Sequence, residues 1–501
     1  MGCQRLWVRH ALEHSTVQGA PPQTSAEHGL GSCIVLEDNS GTGNRAKGSG
    51  SGRVPIDTSM RDVAQLVSAP AWGAGGCGFE SRHPDQMKIF ADLHLHSKYS
   101  RACSKDLNLE NLNYYAKLKG LKLLITGDFT HPLWFKEISQ KLEEAGDGVY
   151  KLKNDDETFF LLGGEISSIF SRQGKVKRIH YLAILPRFDL VEKLNKKLSL
   201  YSNLASDGRP ILGLDVIDFM KILFDIYEKA IFIPAHIWTP WFSLYGSMSG
   251  FDSIYDAFDD YVRYVTAVET GLSSDPNMNW RIPELDNISI VSFSDSHSPQ
   301  THRLGREATL FEVENLSYQN IYQAMASPDD KNKILLTVEF FPEEGKYHYD
   351  GHRFCKIRFS PEEAKRNNYL CPVCGKKVTI GVMSRVEELA KRPVDFYDTQ
   401  RPNFKRTPPL LEILAQIYNT QPTAKKVFIK YLELIKNFGP ELEILTGNYD
   451  KESMKIQEPL VFQALEKIDR EDIVLEPGYD GEYGKVIIKL ESVEEKEKRL
   501  F

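Results

Sequence analysis

The sequence predicts an α/β protein built around a distorted, TIM-like (β/α) barrel, followed by two smaller parts. Three observations predict this fold class. From residue 87 to about 335, short β-rich runs alternate with amphipathic stretches. Polar residues able to bind metal follow several of these β-rich runs. Beyond residue 335, two pairs of potential zinc ligands occur, and the two members of each pair are close together in the sequence. Strand–helix alternation is typical of parallel βα units, and seven or eight of them favour closure into a barrel.

Composition and charge exclude several classes of protein. The chain has 501 residues, 41% hydrophobic and 26% charged, which is ordinary globular usage. No window is long and apolar enough to span a bilayer, so no membrane partner is expected. A net charge of −7 disfavours a protein that coats nucleic acid through its overall charge. Binding of nucleic acid in a local basic groove is still compatible with that net charge. Seven cysteines, an odd number, argue against a disulfide framework, and we expect a cytoplasmic protein.

Residues 1–86 differ from the rest of the chain. They are glycine-rich and lack apolar periodicity, so no packed element is predicted there. Residues 61–84 resemble the conceptual translation of a transfer-RNA gene, a pattern typical of over-extended gene starts. We therefore expect residues 1–86 to be a spurious extension and Met87 to be the natural start; a disordered tail is the alternative.

Eight runs are predicted strands of the barrel, which we place at residues 87–335. They are 88–93, 122–126, 158–163, 179–185, 230–235, 264–269, 288–293 and 307–311. Between several of them, for example at Leu109–Lys119 and 214–226, the apolar residues recur at helical spacing.

Histidines and carboxylates directly follow five of these strands. In a βα barrel such positions converge on the carboxyl-terminal rim, where barrel active sites lie. Imidazoles and carboxylates gathered in one place bind divalent zinc, manganese or iron. The candidate catalytic and metal-binding residues are His94 and His96, Asp128, Glu165, His236, and Asp295 with His297. His131, in the loop of Asp128, is a further candidate ligand.

A second metal site is predicted in residues 336–385, a small zinc-binding module. His352 and Cys355 are two residues apart, and so are Cys371 and Cys374. Four ligands at this spacing suit one tetrahedral structural zinc, with His348 as the alternative to His352. A redox-active cysteine pair is the rival interpretation, but it would need a thioredoxin-like context.

Residues 386–501 predict a mainly helical carboxyl-terminal domain. Apolar residues recur at helical spacing within 410–417 and 427–435. The charge run at 492–499 is typical of a solvated tail.

The site residues predict phosphoester hydrolysis, because one metal can activate water while its neighbour stabilises the leaving oxygen. The two added domains and an aromatic loop after His236 favour a macromolecular substrate. Aromatic faces beside a hydrolytic site can stack unpaired or flipped bases, although the same rings could simply pack the loop onto the barrel. The candidate DNA-binding residues are Arg101, Trp238, Trp241, Phe242, Tyr245 and Phe251.

These motifs resemble the PHP metallo-phosphoesterase superfamily, whose members share a distorted βα barrel with a trinuclear metal site. The resemblance adds His180, which lies near the start of its predicted strand. The resemblance implies that Glu165 bridges two of the metals. The other ligands of the first metal would be His94, His96 and Asp295, and those of the second His180 and His236. The third metal would be held by Asp128 and His297. Many members have a further histidine soon after the H-x-H pair; this chain has Arg101 there instead, whose charge could partly replace the third metal.

From Met87 onward the chain resembles the endonuclease Q family, which joins a PHP barrel to a zinc module and a helical domain. The segments that carry the resemblance include Phe90-Ala-Asp-Leu-His-Leu-His-Ser-Lys-Tyr-Ser-Arg-Ala, Pro234-Ala-His-Ile-Trp-Thr-Pro-Trp-Phe and Cys371-Pro-Val-Cys-Gly. The resemblance implies a DNA repair endonuclease that cuts the phosphodiester bond 5′ of deaminated bases (uracil, hypoxanthine, xanthine) or abasic sites. The implied cofactors are two or three zinc, manganese or magnesium ions in the barrel and one structural zinc, and the partner is damaged double- or single-stranded DNA.

Two other functions are compatible with parts of this pattern. A general PHP phosphatase or exonuclease would release free phosphate or mononucleotides. A non-catalytic DNA-binding adaptor would have a vestigial barrel, and the full set of ligands from His94 to His297 argues against it. A sliding clamp is a further candidate partner, although the chain end carries no clear clamp-binding motif.

Overall fold

The computed structural model describes residues 86–490. The predicted spurious extension at residues 1–86 therefore lies, except for its last residue, outside the described residues, and so does the predicted charged tail at 492–499.

Seventeen strands make up the β-structure of the described part of the chain. They are β1 (Met87–Asp92), β2 (Leu121–Ile125), β3 (Leu142–Gly146), β4 (Val149–Leu152), β5 (Phe159–Arg172), β6 (Lys175–Leu185), β7 (Ile211–Leu212), β8 (Ile231–Pro234), β9 (Ala267–Glu269), β10 (Ser289–Val291), β11 (Ala308–Val313), β12 (Lys333–Glu339), β13 (Asp350–His352), β14 (Ile357–Phe359), β15 (Asn403–Arg406), β16 (Val474–Glu476) and β17 (Lys485–Ile487).

The α-helices lie between these strands and dominate the carboxyl-terminal part. They are α1 (Leu109–Lys119), α2 (Pro132–Lys141), α3 (Phe188–Leu198), α4 (Val216–Ile226), α5 (Ile254–Phe258), α6 (Pro276–Trp280), α7 (Tyr318–Ala326), α8 (Pro361–Arg366), α9 (Val382–Leu389), α10 (Leu410–Ile417), α11 (Lys425–Phe438), α12 (Glu441–Leu445), α13 (Lys451–Gln457) and α14 (Pro459–Asp469). Short 3₁₀ helices lie at Asp259–Tyr264, Pro283–Leu285, Pro342–Glu344 and Arg353–Cys355. None of the helices in the described residues is long and apolar enough to cross a membrane.

Seven strands form the wall of a distorted barrel. β1, β2 and β5 pair in parallel, β6 pairs with β5 and β8, and β9 pairs in parallel with β10. A backbone hydrogen bond from Thr266 to Phe232 joins β9 to β8. The wall closes where Leu95, just past β1, forms a parallel bridge with Ser296, just past β10. The predicted α/β barrel is thereby confirmed, and each predicted strand has an observed counterpart.

The strand directions differ from the prediction of uniform parallel βα units. β5 and β6 form a long antiparallel hairpin, and β11 is antiparallel to β1. The hairpin turns at Gln173 and Gly174, which both have positive φ, as a tight two-residue turn between twisted strands requires. A turn this short leaves no room for a crossover helix, so β6 must run back along β5.

The barrel sheet continues outward through β11 and β12 to β15. β12 extends to Glu339, beyond the predicted barrel limit at residue 335, and β15 adds a strand from the predicted carboxyl-terminal domain. From α10 onward the chain is mainly helical and has a hydrophobic core of its own, built around residues of α10, α11 and α14. This confirms the predicted helical character of the carboxyl-terminal region.

One buried ion pair joins the helical region to the barrel. Lys119 at the end of α1 donates to Glu441 Oε1 at 2.7 Å and to the Thr301 carbonyl at 2.8 Å. Both charged side chains are fully buried. Glu441 also accepts from the Leu410 amide and the Tyr431 hydroxyl, so its carboxylate is surrounded by donors from both parts of the chain.

Candidate metal centre

The barrel brings the predicted ligands together at one rim. His94 and His96 follow β1, His236 follows β8, and Asp295 follows β10, all at carboxyl ends of strands. Glu165 lies within β5, which extends well beyond its predicted end. His180 lies in β6, and because β6 is antiparallel to β5, with His180 opposite Ser167, the beginning of β6 reaches the same rim. The strand direction therefore explains the position of His180.

Two groups of side chains could each hold a metal ion. His94, His96, Glu165 and Asp295 form one group, and Glu165, His180 and His236 form the other; in each, the ligand atoms lie within 4.8 Å of one another. Glu165 belongs to both groups. Its Oε2 lies 3.4 Å from His96 Nε2, while its Oε1 lies 2.6 Å from His180 Nδ1 and 3.1 Å from His236 Nε2. A carboxylate shared in this way can bridge two metals.

The chemistry of the first group fits a divalent metal. His94 Nε2 is buried and has no hydrogen-bond partner among the described residues. It lies 3.7 Å from Glu165 Oε2 and 3.5 Å from Asp295 Oδ1. A buried polar atom without a partner is destabilising. A cation coordinated by this nitrogen and the two carboxylates would satisfy all three groups.

The electrostatics of the rim follow from its buried carboxylates. Burial alone would raise the pKa of Glu165, but the charges of His180 and Arg209 hold that pKa well below its usual range. Burial lowers the pKa of His96, yet Asp128 and Asp295 raise it to about 9. These carboxylates therefore favour the protonated form of His96. Metal binding there must displace that proton, because the ligand is the neutral imidazole.

Asp128 and His297 lie beside the first group but outside both groups. Asp128 Oδ1 is 3.2 Å from His96 Nδ1, and its Oδ2 accepts hydrogen bonds from the amide and hydroxyl of Ser97 and from Ser100. The ring of His297 packs on that of His96, and its Nδ1 is 2.9 Å from the Asp295 carbonyl. Asp128 is thus positioned to orient His96, and the assignment of Asp128 and His297 to a third metal stays a prediction. His131 is likewise outside both groups, packed on Tyr99.

Glu269, at the end of β9, is a site residue that the sequence analysis missed. Its fully buried carboxylate lies 2.8 Å from His94 Nδ1 and accepts a 2.7 Å hydrogen bond from the His236 amide. It therefore contacts one residue of each metal-binding group. The signal was present, because residues 264–269 were predicted as a strand and Glu269 is its last residue.

We expect Glu269→Gln to lower metal affinity at the barrel site by about 10- to 100-fold, as loss of a ligand's outer partner usually does. The reason is that the amide cannot accept from His94 and His236 with the strength of a carboxylate. The measurement is a manganese titration of the metal-depleted protein. The control is Glu284→Gln, at an acid that accepts from Ser253 and Ile254 at the start of α5 and belongs to none of the metal-binding groups. If Glu269→Gln bound manganese with the wild-type affinity, the Glu269 carboxylate would not be needed to orient His94.

Arg209 is a second residue that the sequence analysis missed. Its guanidinium donates to Glu165 Oε2 at 2.8 Å, and its side chain is partly exposed at the rim. The preceding Gly208 lies against Asp128, where an added Cβ would come within 2.2 Å of Oδ2. A glycine is therefore required for this loop to bring Arg209 to the metal-binding groups.

Three residues of the rim have left-handed backbone conformations. The φ angles are +41° at Asp128, +31° at His236 and +46° at Asp295. Residues other than glycine adopt this backbone region only at a cost in free energy. The neighbouring Gly271 has φ +60°, and a Cβ there would come within 2.4 Å of the His236 Cβ. Close packing beneath the rim thus holds these side chains in place.

The aromatic loop after His236 corrects part of the predicted DNA-binding set. Trp238, Tyr245 and Phe251 are buried, so the prediction that their ring faces stack on bases is wrong. Trp238 packs on Tyr245, because the loop needs an apolar interior of its own. Trp241 and Phe242 remain partly exposed, and Phe242 packs on the metal-ligand candidate His180.

Arg101 is exposed and forms an ion pair with Asp207, its Nε lying 3.1 Å from Oδ2. Its side chain is 77% exposed. This guanidinium faces solvent and is already paired with Asp207, so it does not supply a charge inside the metal-binding groups.

The predicted zinc ligands also come together. His352, Cys355, Cys371 and Cys374 form a third group with ligand atoms within 4.8 Å of one another, and His352 Nδ1 lies 3.5 Å from Cys374 Sγ. His348, the alternative ligand, is buried outside this group. Three thiols and one imidazole suit tetrahedral zinc.

Comparison with known proteins agrees with this architecture. A family model described as the MJ0043 C-terminal domain matches residues 409–471. Protein MJ0043 of Methanocaldococcus jannaschii is 36% identical over 257 residues, which are 51% of this chain and 32% of MJ0043, so the chain spans about a third of that relative. Protein YqxK of Bacillus subtilis is 27% identical over 414 residues, covering 80% of this chain and 99% of YqxK.

Two crystal structures share the fold over nearly their whole length. The lesion-specific endonuclease PfuEndoQ from Pyrococcus furiosus superposes with a TM-score of 0.73 and 31% identity, covering 82% of this chain and 99% of PfuEndoQ. Endonuclease Q in complex with a 27-mer duplex substrate, with an abasic lesion at the active site, superposes with a TM-score of 0.72 and 31% identity, covering 80% and 97%.

Proposed function

Because the chain belongs to the endonuclease Q family, we propose that it is a metal-dependent DNA repair endonuclease. It hydrolyses the phosphodiester bond 5′ of a deaminated base (uracil, hypoxanthine or xanthine) or of an abasic site. The observation that carries this proposal is Glu165, a buried carboxylate shared by two metal-binding groups at the barrel rim. The domains we propose are a catalytic barrel (87–335), whose sheet continues through β12 to Glu339, a zinc module (336–385) and a helical domain (386–501), which lends β15 to that sheet.

The side chains of the rim divide the work of hydrolysis. The two groups would hold divalent ions, which would supply an activated nucleophile at neutral pH and positive charge near the leaving oxygen. Glu165 holds the two groups together, while Asp128 and Glu269 orient His96 and His94. Arg209 is placed to donate hydrogen bonds to the oxygens of the scissile phosphate, since charge-assisted bonds from arginine suit that anion.

The test of this function is a cutting assay. The full chain is incubated with an end-labelled duplex carrying one deoxyuridine, with and without manganese or magnesium. We expect one metal-dependent cut immediately 5′ of the uracil, leaving a 3′-hydroxyl and a 5′-phosphate. Undamaged duplex and the Asp295→Asn variant are the controls, and neither should give the cut. Release of free phosphate or mononucleotides would instead indicate a general phosphoesterase, and binding without any cut would indicate an adaptor.

Lesion recognition is proposed to involve the two aromatic rings that remain partly exposed beside the site, Trp241 and Phe242. We expect Trp241→Ala to lower the ratio of the binding affinity for uracil-containing duplex to that for undamaged duplex by about tenfold, since base–aromatic stacking contributes about 1–3 kcal/mol. Tyr255→Ala, at an exposed ring on α5, is the matched control. An unchanged ratio would mean that Trp241 only packs against Tyr347, its neighbour at 5.3 Å.

A further inference from the structure

Two buried carboxylates face each other across the sheet that continues from the barrel. Glu307 directly precedes β11, and Glu339 is the last residue of β12. The two strands are antiparallel, and their register, with Ala308 opposite Val338, places Glu307 opposite Glu339 on one face of the sheet. Residues directly opposite each other have Cβ atoms about 5 Å apart, so the two carboxylates can converge on one point. Both side chains are fully buried.

Each of these carboxylates has one oxygen that lacks a hydrogen-bond partner. Glu307 Oε1 accepts from the Phe340 amide at 3.1 Å. Glu339 Oε2 accepts from the hydroxyls of Thr270 and Ser292, at 2.9 and 3.0 Å. The second oxygens, Glu307 Oε2 and Glu339 Oε1, have no partner in the part of the chain that the structure describes. A buried charged oxygen without a partner is costly in free energy, so both oxygens require a further partner.

The charge of the pair is not compensated by a basic side chain. Burial, followed by the charge of Glu339, raises the pKa of Glu307 well above its usual range. Burial likewise raises the pKa of Glu339 to about 8, and the charge of Asp275 adds to this rise. Arg306 opposes the rise at Glu307, but its Nε donates to the Ser294 carbonyl at 3.1 Å rather than to either carboxylate. The two carboxylates therefore need protons or a cation to neutralise them.

A third unpaired oxygen lies on the same face of the sheet. Thr337 is two residues before Glu339 on β12 and only 2% exposed, and its hydroxyl oxygen has no hydrogen-bond partner among the described residues. It lies close enough to Glu339 to lower the pKa of that carboxyl group. The hydroxyls that donate to Glu339, those of Thr270 and Ser292, directly follow β9 and β10. The three unpaired oxygens therefore lie behind the strands that bring ligands to the rim.

We propose that Glu307, Glu339 and Thr337 form a calcium site behind the metal centre. Two carboxylates and a hydroxyl are an oxygen-only ligand set, which suits a hard cation. A divalent cation neutralises both carboxylates at once and satisfies all three unpaired oxygens. Calcium fits better than magnesium, because magnesium retains several waters that a fully buried set of ligands excludes. The bound ion would fasten β11 and β12 to the ends of β9 and β10, whether or not the protein cuts DNA.

The test measures calcium binding in the absence of DNA. The histidine- and cysteine-rich sites of the full-length protein are first filled with zinc, so that calcium does not compete there, and the protein is titrated with CaCl₂ by calorimetry. We expect one calcium ion per chain and a higher Tm in its presence. Glu307→Gln and Glu339→Gln should each lower calcium affinity about tenfold or more, because affinity depends on the charge of the ligands. Both variants should fold, since each removes a buried charge, and calcium should leave their Tm unchanged.

The matched control is Glu312→Gln. Glu312 lies on β11 and is only 7% exposed, but its carboxylate is paired with Lys333 at 3.3 Å. This variant should bind calcium as the wild type does. A zinc-loaded wild-type protein that binds no calcium would overturn the proposal, since protons would then neutralise the pair. Calcium binding that persists in both Glu307→Gln and Glu339→Gln would also overturn it, because the ion would then lie elsewhere.

Discussion

The Glu165→Gln substitution is expected to remove both barrel metals and to lower cutting of uracil-containing duplex by about 10³-fold or more. Glu165 is the one residue common to the two metal-binding groups, so its charge is lost from both at once. The glutamine also provides an amide nitrogen where an oxygen ligand is needed, and it removes the carboxylate charge that Arg209 and His180 contact. No other single substitution at the rim is expected to remove a ligand from both groups at once.

The measurement combines metal content with kinetics. Elemental analysis of Glu165→Gln should show loss of the barrel ions and retention of one zinc in the module, and single-turnover cutting should fall in parallel. Glu192→Gln, at an exposed acid on α3, controls for the loss of one negative charge. Retention of barrel metals at wild-type stoichiometry would contradict the bridging role assigned to Glu165.

The Lys119→Ala substitution is expected to have the largest effect on stability, lowering the free energy of unfolding by about 3–5 kcal/mol. It leaves the Glu441 carboxylate buried between the barrel and the helical region without its cationic partner. It also removes the donor to the Thr301 carbonyl, in the segment that follows His297. Urea denaturation followed by circular dichroism gives the change in unfolding free energy.

Two controls separate burial of charge from loss of a side chain. Lys221→Ala breaks an ion pair in which both side chains are about half exposed, and such pairs contribute about 0–1 kcal/mol. Lys119→Met combined with Glu441→Leu removes both buried charges and should recover part of the stability. Recovery will be incomplete, because Tyr431 and Leu410 also donate to Glu441. A Lys119→Ala protein as stable as Lys221→Ala would contradict this account.

The metal ligands were predictable because their positions depend on a simple rule of barrel geometry. His94, His96, His236 and Asp295 each follow a strand that is apolar enough to recognise, and strand ends on one rim converge whatever the loops do. The direction of β6 was not predicted, since alternation of strands and helices does not specify direction. The signal was local, in the Gln173–Gly174 turn, and its recognition would have placed His180 at the rim without help from a family resemblance.

The groups that a side chain contacts were harder to predict than its position in the fold. Asp128 follows β2 and Glu269 ends β9, as metal ligands on the rim do, and in the folded chain both accept from imidazole nitrogens. The choice between binding a metal and orienting its ligand depends on shifts of about an ångström, which spacing in a sequence does not encode. The same applies to Trp238 and Tyr245, because an aromatic-rich loop has the same composition whether its rings face solvent or each other.

The left-handed backbone at Asp128, His236 and Asp295 implies a trade-off between thermal tolerance and catalysis. Each of these conformations costs about 1–3 kcal/mol in a residue other than glycine, and glycine would relieve the cost at all three positions. A library selected only for survival at high temperature should therefore accumulate glycine at these positions and lose its ability to cut. The protein retains this cost because His236 and Asp295 belong to the metal-binding groups and Asp128 contacts the His96 ligand, and glycine could take none of these roles.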